Sequence, residues 1–313
     1  MSQNANDRRG IHSIDHFALE VPDLQLAQTF FDAFGLRVER TGEGLNLHAS
    51  GSDQRWGRLI EGPRKRLAYL SFNAYAKDLD ALRAQVAASG ARIAERHPAG
   101  SAEGFWCRDP DGNLLQVRAG PKTSPDAKSP AGMISARAGE RGVYGRSSYG
   151  KVRPRRLSHV LLFSPDVLRS VSFYENALGL RLSDRSEDGI AFLHARHGSD
   201  HHLIAFGRSE AKGWHHSSWD VPDLEHVGRG ASQMAAAGYA KGWGTGRHVL
   251  GSNYFHYVQD PWGSFAEYSA DIDFIPAGGA WDGGDWPPED SFYLWGPDIP
   301  DYFLVNSEAE VRS

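Results

Sequence analysis

Residues 158–167 read SHVLLFSPDV, and an earlier stretch, residues 15–24, reads DHFALEVPDL. Both place a histidine second, follow it with a largely apolar run, and end in a Pro-Asp pair and an apolar residue. Two further pairs of stretches match in the same order: FFDAFGLRV (30–38) with FYENALGLRL (173–182), and RDPDGNLLQV (108–117) with QDPWGSFAEY (259–268). The chain therefore contains two copies of one module, and this repeat decides the fold.

Each copy predicts a strand, a helix and then further strands. HFALEV alternates apolar and polar residues, as a half-buried strand does. The next segment has apolar residues at helical spacing, with Gly35 as the expected C-cap. A second helix is predicted in DLDALRAQVAASG (78–90) and in DLEHVGRGASQMAAAGY (223–239). The motifs DPDGN and DPWGS are turns that precede a strand. We therefore predict an α+β fold.

The composition excludes several classes of protein. The chain has 313 residues, enough for two ordinary domains, and 40% of them are hydrophobic. A net charge of −5 provides no basic field for nucleic acid. We see no apolar run near the roughly 20 residues of a membrane span, and no apolar signal region at the N-terminus. The single cysteine, Cys107, excludes an intrachain disulfide. We expect a cytoplasmic protein.

The composition also suggests where the modules begin and end. Residues 121–153 are rich in Gly, Ser, Pro and basic residues, which is typical of a loop. They form either a flexible linker or an arm that packs on a neighbouring subunit. We place the modules at residues 10–120 and 154–272.

The C-terminal tail, residues 273–313, is irregular in pattern but rich in aromatic residues. It contains Trp281, Trp286 and Trp295 together with several prolines. Because disordered segments rarely contain so many aromatics, we expect the tail to dock on the body. It would either cover the mouth of an aromatic pocket or pack within an oligomer.

Three residues of the second copy form a candidate metal site: His159, His216 and Glu267. Each lies in a strand-like stretch, respectively RLSHVLLF, HHSSWDV and SFAEYSA. Two imidazoles and one carboxylate are the facial triad of non-heme Fe(II) oxygenases, which leaves positions open for substrate and O2. Because neighbouring residues of a strand face opposite sides, His215 would be the ligand if the register slipped by one residue.

With this triad in the second of two copies, the chain resembles the type I extradiol ring-cleavage dioxygenases of the vicinal oxygen chelate superfamily. The resemblance covers about residues 10–120 and 154–275. It implies tandem βαβββ modules that form two incomplete-barrel domains, the C-terminal one carrying the metal. The same N/O ligand set accepts Fe(II) or Mn(II), and we expect Fe(II).

The resemblance extends to residues around the triad. SDHHLIAFG resembles the His-His segment of the family, which makes His202 the acid–base histidine; from chemistry alone its neighbour His201 is equally suitable. GRHVLGSNYFHYVQDPWGSFAEY resembles the closing segment of the family. There His248 and Tyr257 match residues that contact substrate and oxygen, and Asn253 is a further candidate for substrate contact.

The first module serves as an internal control. Its residues at the three ligand positions are His16, Tyr69 and Gln116. Gln116 is neutral, and a tyrosine is a poor ligand for Fe(II) at neutral pH. We therefore expect the first module to bind no metal and to be structural.

The expected activity is cleavage of a catechol ring beside its two hydroxyls, with Fe(II) and O2, in the catabolism of aromatic compounds. Two alternatives share the fold: a glyoxalase-like metal-dependent lyase or isomerase, and a non-catalytic resistance or binding protein. A ligand set within one module argues against the first, and an intact triad argues against the second. Expected partners are a small aromatic diol, O2 and further copies of the chain, as a dimer, tetramer or larger assembly; neither nucleic acid nor a membrane is expected.

Overall fold

The structure is a computed structural model that describes residues 9–130, 132 and 135–309. Its first module forms one seven-stranded sheet in the order β2-β3-β4-β1-β5-β7-β6. The strands and helices of this module are β1 (Ser13–Val21), α1 (Leu24–Phe34), β2 (Arg37–Thr41), β3 (Gly44–His48), β4 (Arg55–Glu61), β5 (Arg66–Ala74), α2 (Leu79–Ala88), β6 (Phe105–Arg108) and β7 (Leu114–Ala119).

The second module repeats this plan in a nine-stranded sheet, with the order β18-β14-β15-β16-β13-β8-β12-β10-β9. Its elements, including those of the C-terminal tail, are β8 (Arg156–Ser164), α3 (Val167–Asn176), β9 (Leu180–Ser186), β10 (Ile190–Ala195), β11 (Ser199–Asp200), β12 (Ile204–Arg208), β13 (Gly213–Asp220), α4 (Leu224–Ala236), β14 (Gly242–His248), β15 (Tyr254–Gln259), β16 (Phe265–Ala270), β17 (Phe274–Ile275) and β18 (Tyr293–Trp295).

Both sheets are built around the same antiparallel pair of strands. β1 lies between β4, to which it is parallel, and β5, to which it is antiparallel. β8 lies in the same way between β12 and β13. Each sheet curls into an incomplete barrel, and the predicted α+β fold with tandem modules is confirmed.

The Pro-Asp pairs of the repeat begin the helices. Asp23 accepts a hydrogen bond from the backbone N–H of Leu26, and Asp166 caps α3 in the same way. A third pair ends in Asp223, which caps α4. α1 ends at Gly35, whose φ of 102° is the left-handed conformation that glycine adopts without strain. The predicted C-cap is confirmed.

The two copies differ at one edge of the sheet, where the first module has one strand fewer. In place of a full strand like β14, it has an isolated bridge between Ile93 and Cys107. The segment that follows contains Pro98, Gly100 and Gly104. Proline lacks the N–H that a ladder needs and glycine weakens a strand, so the segment runs as irregular chain.

The modules pack directly against each other. Phe34 of α1 stacks on Tyr268 of β16 with ring centroids 3.9 Å apart, and the Tyr268 hydroxyl donates to the Phe34 carbonyl. At another point of the interface the buried Lys65 ammonium donates to the Trp214 carbonyl and pairs with Glu308 of the tail at 3.0 Å. Within the described residues, no helix has the length and apolarity to span a bilayer.

The C-terminal tail lies on the second module. β17 pairs with β11, and β18 extends the large sheet beyond β14. Phe303 is buried in an aromatic cluster with Trp243 and Tyr257. The tail therefore contributes directly to the region around the predicted site.

Candidate metal centre

The three predicted ligands lie on three adjacent strands. β16, β13 and β8 are neighbours in the sheet. Ser218 of β13 pairs with His159 on one side and with Glu267 on the other. His216 lies two residues before Ser218 in the same strand, and side chains two residues apart share a face. The strand register therefore brings the three side chains together inside the barrel.

Their ligand atoms converge on one point. Glu267 Oε2 lies 3.3 Å from His159 Nε2 and 3.7 Å from His216 Nε2. One ligand atom from each residue lies within 4.8 Å of the others, and among the described residues this is the cluster that could hold a metal ion. His216 Nε2 and Glu267 Oε2 are buried without a hydrogen-bond partner. Buried polar atoms without partners are rare, so this donor set fits a divalent cation.

Neighbouring groups orient each ligand. His159 Nδ1 bonds Ser158 Oγ at 3.2 Å, and His216 Nδ1 bonds His215 Nδ1 at 2.7 Å. Both rings therefore direct Nε2 toward the metal position. The amide of Asn253 donates to Glu267 Oε1 at 3.1 Å, which leaves Oε2 free. Such outer contacts orient metal ligands and raise their basicity.

The surroundings of His216 and Glu267 shift the pKa of both groups. Burial lowers the pKa of His216 well below the usual value, with His215 and His159 adding to the effect. Burial raises the pKa of Glu267, but the nearby His159 and His248 rings outweigh it and hold that pKa below its usual value. A neutral imidazole and an ionised carboxylate are the forms that bind metal.

The cluster lies at a cavity of about 360 Å³. His202, His248 and Tyr257 all line this cavity, together with His159 and His216 of the metal cluster. The His202 ring lies 4.0 Å from that of His159, centroid to centroid. His248 Nε2 bonds the Tyr257 hydroxyl at 2.9 Å. Burial raises the pKa of Tyr257 well above its usual value, so its hydroxyl keeps its proton.

The structure also places the three residues whose assignment was open. His201 is fully buried behind His202 and is not among the cavity-lining residues. His215 reaches the cavity, but its Nε2 bonds the Phe303 carbonyl at 2.8 Å and it is not in the metal cluster. Asn253 lines the cavity, but its amide nitrogen is engaged by Glu267 and Ser269, and its contact with substrate stays a prediction.

Sequence reasoning expected the tail to dock on the body, but it missed Asp184 and the tail residues that form the cavity wall. Pro288, Ser291, Phe292, Phe303 and Leu304 form part of the cavity wall. Asp184 lies behind the His201–His202 pair and bonds His201 Nε2 at 2.7 Å. The signal that could have found these groups is the repeated His-His doublet, because a ring bonded to its neighbour through one nitrogen needs a separate partner for the other nitrogen.

The sister positions in the first module are occupied by bonded side chains. His16 Nε2 bonds the Tyr69 hydroxyl at 3.0 Å, and the Arg55 guanidinium lies 3.4 Å from the same nitrogen. Gln116 donates to the backbone carbonyls of Ser101 and Glu103. The polar atoms that would face a metal in this module are therefore already hydrogen-bonded.

Comparisons with known proteins show the family to which the chain belongs. The family model "Glyoxalase/Bleomycin resistance protein/Dioxygenase superfamily" matches residues 13–117 and 156–268. The chain is 62% identical to metapyrocatechase 2 from Cupriavidus necator over 97% of this chain and 95% of that protein.

Two solved structures share the fold over nearly the whole chain. The Mn(II)-bound glyoxalase from Novosphingobium aromaticivorans is 25% identical, with a TM-score of 0.75 and coverage of 94% of both chains. Homoprotocatechuate 2,3-dioxygenase from Arthrobacter globiformis is 20% identical, with a TM-score of 0.76, 96% of this chain and 92% of that chain covered. The chain therefore belongs to the glyoxalase/bleomycin resistance protein/dioxygenase superfamily and, by its 62% identical relative, to the extradiol dioxygenases within it.

Proposed function

We propose that this protein uses Fe(II) and O2 to open the ring of an uncharged catechol beside its two hydroxyls, as a step in the breakdown of aromatic compounds. The observation that carries the proposal is the position of the metal cluster. The cluster of His159, His216 and Glu267 has two buried ligand atoms without a partner, and its two histidines line a mainly apolar cavity. The metapyrocatechase relative is a catechol dioxygenase by name, which supports the same reaction.

His159, His216 and Glu267 would hold the iron, which when bound favours loss of a catechol hydroxyl proton and provides a path for electrons from the ring to O2. His202 lies beside His159 and accepts that proton. Burial lowers the pKa of His202 well below its usual value, and the neighbouring His159 and His201 rings add to the effect, so it is neutral and able to act as a base. It then returns the proton to a product oxygen.

Tyr257 is the group placed to donate to an oxygen atom gaining charge, because its hydroxyl can turn from His248 toward the substrate, and His248 holds it in position. The two residues form one bonded pair at the cavity wall, next to the cluster. His248 is fixed at its other nitrogen by the Phe292 carbonyl at 2.8 Å. Donors held in place before the reaction need little reorganisation, which is why such groups lower a barrier effectively.

The cavity wall defines the class of substrate. Its apolar side chains include Leu161, Ile190, Phe192 and Leu250. Apart from histidines, Arg208 is the cation among the described lining residues, and it pairs with Asp188. A carboxylate on the ring would lie in this apolar space without a free partner, which is costly. Catechol and its alkyl or aryl derivatives fit better.

Oxygen uptake with a panel of catechols tests the proposal. The Fe(II)-loaded protein should consume one O2 per catechol or 4-methylcatechol and form a yellow ring-opened product. 3,4-Dihydroxybenzoate should be turned over with a kcat/KM lower by roughly 10-fold or more, since an unpaired buried carboxylate costs well over 1.4 kcal/mol. Mn(II) loading in parallel decides which metal supports turnover.

A glyoxalase-type reaction is the competing activity, in view of the Mn(II)-bound glyoxalase with the same fold. Such an isomerisation consumes no O2. Turnover of a glutathione hemithioacetal, with no oxygen uptake from any catechol, would replace the proposed function with this one.

We further propose that the protein is cytoplasmic and works as a homo-oligomer, with the modules at 10–120 and 154–272. Leu294, Trp295, Leu304 and Val305 are exposed on the tail, and exposed apolar surface often meets another copy of the chain. Light scattering on the purified protein gives the assembly size. A monomer at micromolar concentration would contradict this expectation.

A further inference from the structure

We propose that the C-terminal tail is a positioning element that determines which ring nitrogen of the site histidines carries the proton, acting on His202 through Asp184 and His201. This inference rests on the acid–base role proposed above for His202. It assigns Asp184, His201, Trp281 and Trp286 to the machinery of the site, although none of them is needed to bind the metal.

Asp184 is a carboxylate held by the tail. Its Oδ1 accepts from the backbone N–H of Gly284 and the indole N–H of Trp286, both at 2.8 Å. Its Oδ2 accepts from the indole N–H of Trp281 at 3.1 Å and from His201 Nε2 at 2.7 Å. An indole or amide N–H can only donate, so three of these four bonds require Asp184 to be an acceptor. The remaining partner, His201 Nε2, therefore carries a proton.

The proton on His201 Nε2 determines the next bond. A neutral imidazole has one N–H, so His201 Nδ1 is an acceptor. His201 Nδ1 and His202 Nδ1 lie 3.0 Å apart. This contact is a hydrogen bond only if His202 Nδ1 carries the proton. His202 Nε2 then has a free lone pair, and no described residue hydrogen-bonds it.

The tail acts in the same way on two further histidines. The Phe303 carbonyl accepts from His215 Nε2, so His215 Nδ1 accepts from His216 Nδ1 at 2.7 Å and His216 Nε2 is left free for the metal. The Phe292 carbonyl accepts from His248 Nδ1, which leaves His248 Nε2 to accept from Tyr257. Three separate tail contacts thus each leave the Nε2 of a site histidine without a proton.

His159 provides an internal control within the same cluster. Its Nδ1 bonds Ser158 Oγ, which donates to Asp200 at 2.8 Å. Neither residue belongs to the tail. Changes in the tail contacts should therefore leave the state of the His159 ring unaltered while they alter that of His202.

This arrangement has a chemical consequence for proton transfer. In the resting protein His202 presents a lone pair, the form required to take a proton from a catechol hydroxyl. After it accepts that proton at Nε2, its Nδ1–H still donates to His201, and the Asp184 carboxylate stabilises the added charge from one ring away. His201 is fully buried, so the proton stays at His202 until it is returned to the product.

Nitrogen NMR tests the assignment directly, without turnover. The full-length protein is labelled with ¹⁵N-histidine and loaded with Zn(II), which is diamagnetic, and two-bond ¹H–¹⁵N correlations report which nitrogen of each ring is protonated. His202→Phe and His201→Phe spectra assign the two rings. We expect a protonated Nδ1 and an unprotonated Nε2 for His202, and the reverse for His201. A wild-type His202 protonated at Nε2 would overturn the proposal, whatever reaction the protein catalyses.

Kinetics of the Fe(II)-loaded variants supply the second readout. His201→Phe removes the acceptor for His202 Nδ1, and we expect kcat to fall roughly 10–100-fold with KM for catechol and iron content unchanged. Trp286→Phe removes one of four donors to Asp184, and we expect a loss of kcat below about 10-fold. His256→Phe is the matched control for the first variant, because His256 is outside the cavity lining. Trp56→Phe is the control for the second, since the Trp56 indole N–H lies in the first module and has no hydrogen-bond partner.

The two readouts separate this proposal from the proposed function. Oxygen uptake by the wild type with correct iron content establishes the function, while the NMR spectrum establishes the tautomers. Full kcat in His201→Phe, or equal losses in the variants and their controls, would show that the tail only supports the fold. A loss confined to KM or to iron content would also contradict the proposal.

Discussion

The two modules have the same strand register, but different side chains occupy the matched positions. Ser71 in the first module pairs with His16 and Gln116, as Ser218 in the second pairs with His159 and Glu267. Tyr69 and His216 each lie two residues before these serines. The backbone thus brings three side chains together in both modules. At these three positions, the second module leaves buried ligand atoms without a partner and the first does not.

A fourth position extends the comparison. Gly57 follows Arg55 by two residues and pairs with Phe17, just as Ile204 follows His202 and pairs with Val160. Arg55 is therefore the sister of His202, and its guanidinium lies 3.4 Å from His16 Nε2. In the first module the Arg55 guanidinium therefore lies near the position that corresponds to the candidate metal cluster of the second. The fold of the module itself therefore needs no metal, because hydrogen bonds can fill the same position.

The largest effect is expected from exchanging the third ligand. Glu267→Gln removes the only carboxylate of the cluster, so stoichiometric iron binding and activity should both be lost. Metal analysis and oxygen uptake measure this. Gln116→Ala, at the sister position, should leave iron content unchanged. Iron and activity retained in Glu267→Gln would remove the triad from the metal site, and iron lost in Gln116→Ala would place metal in the first module.

The next largest effect is expected from His202→Phe, which should lower kcat without changing iron or catechol binding. His202→Phe should keep its iron and its affinity for catechol, while kcat falls about 10²–10⁴-fold, because the proton acceptor is gone. Arg55→Gln, at the sister position, should have wild-type kcat. Single-turnover rates and iron content are the measurements. An unchanged kcat in His202→Phe would exclude its acid–base role.

A smaller effect concerns stability and its dependence on pH. Burial raises the pKa of Asp15, but His16, Arg118 and Asn73 outweigh it and bring this pKa to about 2, below the usual 3.8. The ionised carboxylate therefore stabilises the fold above about pH 4, and that contribution is lost as the pH falls through 2. Asp15→Asn should lower the free energy of unfolding by about 2 kcal/mol at pH 7.

The difference between Asp15→Asn and wild type should shrink below pH 4, as measured by urea unfolding at several pH values. Ser158 is the sister of Asp15 and bonds His159. Ser158→Ala should instead weaken metal binding, with little change in acid stability. A constant difference at all pH values in Asp15→Asn would show that its charge is not responsible.

The smallest effect is expected at Tyr69, which occupies in the first module the position that His216 has in the second. Tyr69→Phe removes the hydroxyl that bonds His16 Nε2, which should cost about 1 kcal/mol of unfolding free energy. Iron content and kcat should not change. Reduced iron in this variant would mean that the first module affects the metal site, and the comparison between modules would then need revision.

Much of the fold followed from particular residues. The Pro-Asp pairs ending in Asp23 and Asp166 predicted where helices begin, because aspartate is a strong N-cap. Gly35 predicted where α1 ends. The repeat did not reveal that the first module lacks one strand of its second set. Pro98 and Gly100 interrupt that strand.

The sequence by itself determined the two modules, the candidate ligands His159, His216 and Glu267, and which copy holds them. These are local matters of repeat, periodicity and residue type. Tertiary structure decided how the ligands are oriented. The choice between His201 and His202, and between His215 and His216, depends on acceptors far away in the chain. Those acceptors, Asp184 and the Phe303 carbonyl, reach the site only after the strands and the tail have packed, so no local pattern could reveal them.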